Sequence, residues 1–170
     1  MKNTPGSPVG SDVDGVVLRS LQAIAAANEQ RYDEALELVT PLANEGNPQA
    51  QNMLGALYAQ GWGVEQDFAR AREWYEKAAA GGNPRAYFNL ARMYALGSGV
   101  EKDCDKAVEL WRTPAEQGDA VAQVNLASLY MDGFECLPQD SDEALRWYRM
   151  AAQAFSCGAL SAAVPTSQYS

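Results

Sequence analysis

The chain has 170 residues, enough for one compact domain or one short repeat array, and its 47% hydrophobic and 21% charged content is that of a globular protein. Thirteen basic against 22 acidic side chains leave a formal charge of -9, which argues against nucleic acid as a partner and suits a basic protein or peptide. There is no histidine, so the commonest general base and the commonest metal ligand are both missing, and no metal or cofactor is expected.

Residues 1–11, "MKNTPGSPVGS", read as a flexible leader by composition. The stretch "VVLRSLQAIAAAN" from Val16 has the outline of a signal peptide. Asp12 and Asp14 stand where a positive region belongs, however, and Arg19 and Gln22 interrupt the apolar run. No run approaches the ~20 apolar residues of a membrane span. Cys104, Cys136 and Cys157 are odd in number and lack a CxxC pair, so they are expected to be reduced thiols, with no disulfide needed. A cytoplasmic location is expected, with no membrane partner and a monomeric state.

From residue 12 the chain has a period of 36. Ala50, Ala86 and Ala122 keep it, as do Leu54, Leu90 and Leu126, and Tyr58, Tyr94 and Tyr130. Asp67, Asp103 and Asp140 follow at 36 and then 37, because the third unit's loop, "GFECLPQD", holds one extra residue. Residues 12–46 form a degenerate first unit, with Leu18 in register with Leu54. There Asp14 replaces Ala50 and Arg19 replaces Gly55, as in a cap that tolerates solvent. Three clear units follow, 47–82, 83–118 and 119–157, and a period of this size means a solenoid.

Each unit reads as two helices. Asn47-Pro48 and Asn83-Pro84 are N-cap and first-turn proline. Ala50, Met53, Leu54, Leu57 and Tyr58 then form an amphipathic stripe that ends at Gly61. Asp67 caps the second helix, whose inward face is Phe68, Ala71, Trp74, Tyr75 and Ala78, and Gly82 ends it. Trp74, Trp111 and Trp147 are read as core residues. Pro114 is expected to bend or end its helix, since it cannot donate to the carbonyl of Leu110. In the tail, 158–170, Ala159 falls in register with Ala122 and allows a short capping helix around 158–164.

The stretch "AQNMLGALYAQGWGVEQDFARAREWYEKAAAGGN" resembles a Sel1-like repeat, a relative of the tetratricopeptide repeat with a longer, glycine-marked turn. The resemblance rests on Leu54-Gly55, Tyr58, Gly61-x-Gly63-Val64, Asp67, Ala71, Trp74-Tyr75 and Ala78-Ala79, and covers about Pro48 to Ala154. It implies an all-α fold, a right-handed α/α superhelix (solenoid) of about four helix pairs. It also implies a protein-binding scaffold, with the first helices lining the concave side.

Catalysis finds little support in the inventory, and the chain is read as no enzyme. Ser98 and Ser128 lack a lysine three residues on, and the loops "GWGV" and "GSGV" lack the GK[ST] of a phosphate cradle. Some cysteine-rich relatives of this repeat are linked to β-lactam chemistry, but they pair two cysteines within each repeat. Cys104 and Cys136 are each alone in theirs. The face opposite the core stripe of the first helices holds Asn52, Ala56 and Ala59, then Phe88, Arg92 and Ala95, then Val124, Ser128 and Met131. Val16, Ser20 and Ala23 are their counterparts in the degenerate unit. Either its apolar members pack between units, or Asn52, Phe88, Arg92, Val124, Ser128 and Met131 form a groove for a protein or peptide. An adaptor is the leading expectation, a toxin-neutralising immunity protein the alternative, and a hydrolase on the same scaffold the remote one.

Overall fold

The computed structural model describes residues 10–162, which form eight helices and no strand. They are α1 (Gly10–Asn28), α2 (Tyr32–Asn44), α3 (Pro48–Gln60), α4 (Phe68–Ala80), α5 (Pro84–Leu96), α6 (Cys104–Glu116), α7 (Ala120–Asp132) and α8 (Ser141–Ala162). The all-α class expected from the periodicity is what forms. The predicted leader falls outside the described residues except for positions 10 and 11, which open α1; residues 163–170 of the tail also lie outside them. Positions 158–162 are not a separate capping helix, because α8 runs through them without a break. The chain divides into two compact units, 1–83 and 84–170.

In the first unit the helix ends follow from local chemistry. Asn47 accepts the backbone N–H groups of Gln49 and Ala50, both at 3.0 Å, with Pro48 in the first turn. Asp67 accepts from the N–H of Arg70 at 2.9 Å, and Gly61 closes α3 in the left-handed region. Leu54 and Leu57 join Val39, Leu42 and Ala43 of α2 in one core. A second contact surface of α3 is made of small residues. A Cβ on Gly55 would lie 2.7 Å from the Tyr75 ring and 3.2 Å from the Ala71 carbonyl oxygen. Met53 and Tyr58, placed in the core stripe by spacing, are half-buried. Asn83 does more than precede a proline: its amide donates to the Pro48 carbonyl at 3.0 Å and to Gln49 Oε1 at 2.9 Å, and it is buried.

Solvent is met on α1 by Val17, Leu18, Leu21 and Ile24, four large apolar side chains, as well as by Arg19.

In the second unit Asp103, Asp119 and Asp140 cap α6, α7 and α8. Its core gathers Ala91, Trp111, Ala115, Leu126, Tyr130 and Trp147. Trp111 and Trp147 are buried as expected, whereas Trp74 of the first unit is half-buried under the ammonium of Lys77, 4.1 Å from its ring. Pro114 does not end α6 at once; the helix continues to Glu116 before its cap at Gln117. The thiol expectation is overturned. Cys104, at the start of α6, is disulfide-bonded to Cys136 in the loop between α7 and α8. The extra residue of that loop lets it fold back on itself, through paired backbone hydrogen bonds between Phe134 and Leu137. Phe134 meets Trp111 edge-on at 5.4 Å, and Lys102 pairs with Glu135 at 2.5 Å. The two cysteines are alone in their repeats, yet the turn brings them together across repeats. Such a bond is typical of oxidising compartments, so the cysteines lend no support to a cytoplasmic location.

Candidate functional site

Helix α5 presents two buried faces. One carries Leu90 and Met93, and the other the fully buried Ala91 and Ala95. Phe88 and Arg92 follow the alanine row towards solvent, with Phe88 half-buried and Arg92 exposed. The Phe88 ring tilts 46° against the indole of Trp111, centroid to centroid 6.3 Å. Together with Pro84, Leu110, Asn125 and Leu126 these two aromatics line a small cleft of about 10 Å³, room for one water at most, between α5, α6 and α7. Its lining is mostly apolar. The buried Trp111 Nε1–H has no hydrogen-bond partner, and Asn125 is half-buried. A buried donor left unpaired costs about 1–3 kcal/mol.

The remaining residues expected from the sequence do not all join this cleft. Val124 is half-buried one position before Asn125 on α7. Ser128 is directed to its helix partner instead: its hydroxyl lies 3.1 Å from the Val124 carbonyl and 3.0 Å from the Tyr148 hydroxyl of α8. Met131 is 39% exposed in the last turn of α7. Asn52 is half-buried on α3, in the first unit. Apart from Met131, the third row of the expected face is core, since Ala23 and Ala95 are wholly buried and Ala59 nearly so. The physical reason is the second, alanine-lined contact: a first helix packs on two sides and keeps only a narrow solvent strip. The small residues at Gly55 and Ala59, and at Ala91 and Ala95, were the signal for it.

Two features were missed. Trp62, in the "GWGV" loop, is 42% exposed and stacks on Tyr32 at 5.1 Å with planes 11° apart. The second unit has Ser98 in its place, a difference that marks Trp62 as dispensable to the turn itself. Arg112 donates to the Tyr130 hydroxyl at 2.5 Å, and this bond raises its already high pKa further. It stays a cation at any working pH. Among the described residues no group of three or more Cys, Asp or Glu side chains is placed to hold a metal ion, and no helix is long and apolar enough to cross a membrane.

The family model described as "Sel1 repeat" matches residues 48–83, 84–119 and 120–154. A solved Sel1 repeat protein from Oxalobacter formigenes is 36% identical, with a TM-score of 0.61 over 79% of this chain and 55% of its own. A protective antigen of uropathogenic Escherichia coli with an SLR fold is 32% identical, TM-score 0.57, over 85% of this chain and 35% of its own. The chain thus spans about half the length of the first and about a third of the second. An immunity protein from Pseudomonas aeruginosa is 21% identical, TM-score 0.42, over 92% of this chain and 70% of its own. No curated protein sequence matches the chain.

Proposed function

We propose, from the premise that this chain belongs to the Sel1 repeat family of α/α solenoids, that it is a non-catalytic adaptor which binds one protein or peptide segment along its first helices. Sel1 repeats generally mediate protein–protein interaction. The observation that carries the reading is the α5–α6–α7 cleft. The cleft itself is too small to admit a side chain, so a partner rests on its rim, an apolar group against the half-buried Phe88 ring. Phe88 serves as the anchor, and Arg92, one turn on, pairs a carboxylate or carbonyl while its stem covers apolar surface. Val124 and Met131 extend the contact along α7, and Asn52 belongs to the same row of the first unit. The excess of acidic residues favours a basic partner.

The test is affinity capture with the wild-type chain beside Arg92→Glu. Arg92 is exposed, so the variant keeps the wild-type helical spectrum and melting temperature. The partner captured by the wild type should be lost or weakened at least tenfold, about 1.4 kcal/mol. Equal capture by both chains removes Arg92 and its face from the reading. A captured secreted toxin whose activity the chain blocks would replace the adaptor with the immunity-type protein. Turnover of a substrate that survives removal of every partner would replace both.

A further inference from the structure

We propose that the Cys104–Cys136 disulfide is a redox switch: a dithiol that reduces it frees the loop between α7 and α8 and weakens binding at Phe88, which rests on Phe88 and Arg92 forming the binding face. The bond is additional to what closes its loop. Three connections, 61–67, 97–103 and 133–140, are built alike. Each opens on a glycine with positive φ, Gly61, Gly97 or Gly133. Each closes on a hydrogen bond that the N–H of the capping aspartate donates to a tyrosine carbonyl. Asp67 reaches Tyr58 at 3.0 Å, Asp103 reaches Tyr94 at 2.9 Å and Asp140 reaches Tyr130 at 2.7 Å. The first two connections contain no cysteine. The third, one residue longer, is tied through Cys136 to the start of α6, 32 positions back.

The loop supports the aromatic row that ends at Phe88. Phe134 meets the Trp111 ring edge-on at 5.4 Å, and Trp111 in turn meets Phe88 at 6.3 Å. Cys136 Sγ lies 4.0 Å from the carbonyl of Ala95 on α5, the helix that bears Phe88 and Arg92. Paired backbone hydrogen bonds join Phe134 to Leu137, so the tip docks or leaves as a unit. Docked, it is held by the buried Leu137, the half-buried Phe134 and the Lys102–Glu135 ion pair. That pair is about half exposed and contributes little. Detached, a turn this short has no stability of its own. The disulfide removes the detached state, and its reduction restores it.

The exchange balances. A thiolate of the dithiol attacks Cys136 Sγ, and the sulfur of Cys104 leaves as a thiolate in the first turn of α6, where the helix dipole favours it. The second thiolate of the reductant then displaces Cys136. The reductant departs as its own disulfide, having given two electrons and two protons to the pair. Both cysteines are half-buried, within reach of a small thiol.

Amide hydrogen exchange on the full chain at room temperature, oxidised and in dithiothreitol, tests the switch. Reduction should speed exchange across 133–140 by roughly tenfold or more, with the helical spectrum kept and exchange across 48–80 unchanged. Cys136→Ser should do the same without reductant, and Cys104→Ser replaces it if that variant folds poorly. Unchanged exchange across the loop overturns the proposal. So does loss of the helical spectrum on reduction, which would make the bond a structural staple. In affinity capture, Cys136→Ser without reductant should hold the protein retained by the oxidised chain about tenfold more weakly. Equal retention, with Arg92→Glu still defective, overturns the switch and leaves the binding face standing. Wild-type retention by Arg92→Glu overturns the face, and the control of binding falls with it.

Discussion

Phe88 shows how one side chain divides between packing and binding. It is half-buried, and its ring leans on Trp111 without entering the closed core. Phe88→Ala should therefore cost about 1–2 kcal/mol of stability, less than the roughly 3–5 kcal/mol of a fully buried phenylalanine. Partner affinity per folded molecule should fall by a further ~1–2 kcal/mol. Urea denaturation and a binding isotherm on the same variant separate the two, and unchanged affinity per folded molecule would make Phe88 purely structural. The glycines divide in a similar way. Gly97 has φ +70 with only ordinary contacts around a built Cβ, so Gly97→Val is penalised by its backbone alone, by roughly 1–3 kcal/mol. Gly55 is helical, and Gly55→Ala instead drives a methyl to 2.7 Å from the Tyr75 ring, an overpacking cost of about 1–3 kcal/mol. Trimming the ring with Tyr75→Leu should rescue Gly55→Ala and leave Gly97→Val as it was. Thermal melts of the two double variants check that difference.

Helix starts were legible in the sequence because they are local: Asn47, Asp67, Asp103 and Asp140 each accept N–H groups two or three residues on. The disulfide was not legible, since Cys104 and Cys136 sit at different places in the repeat and meet only because an enlarged loop turns back towards the start of α6. The second, alanine-lined face was half legible; its spacing is plain, but small residues do not declare which helix they touch. The loop joins two connections by a covalent bond and an ion pair, and each has its own signature. Closing the 32-residue separation between the cysteines is worth about 3–4 kcal/mol in the chain-entropy account. Reduction, or Cys136→Ser, should accordingly lower the melting temperature by on the order of 10 °C. An unchanged melt in dithiothreitol would show the bond to be dispensable. Lys102 holds the carboxyl of Glu135 below its ordinary pKa. A depressed carboxylate stabilises the fold above its ordinary pKa, and the contribution fades as pH falls through the lowered value. At neutral pH Glu135→Gln should therefore melt slightly below wild type, and the gap should close in acid below the lowered pKa. The gap should be small throughout, because both side chains are about half exposed.

The 36-residue period accounts for the architecture, because a lone helix pair cannot bury its apolar face and stacked pairs can. It says nothing of a partner, since the same positions recur in every unit, and whatever specifies a ligand must lie in departures from the period. Phe88, Arg92 and Trp62 are such departures, standing where other units have Val124, Ser128 and Ser98. Net charge is a further property that the repeat does not dictate, and it leads to a kinetic expectation. A chain at -9 draws a basic partner in from a distance, so the association rate constant should fall tenfold or more as sodium chloride is raised. The dissociation rate constant should change little, since an apolar cleft is hardly screened. Arg92→Glu then pulls the two constants apart. It adds two units of negative charge, which should hasten the approach of a basic partner at low salt. It also removes the contact beside Phe88, which should hasten departure by a larger factor. Stopped-flow or surface-based kinetics at several salt concentrations resolve both effects. If the association rate constant ignores salt, the partner is not basic; if the dissociation rate constant of Arg92→Glu equals that of wild type, binding does not run along α5.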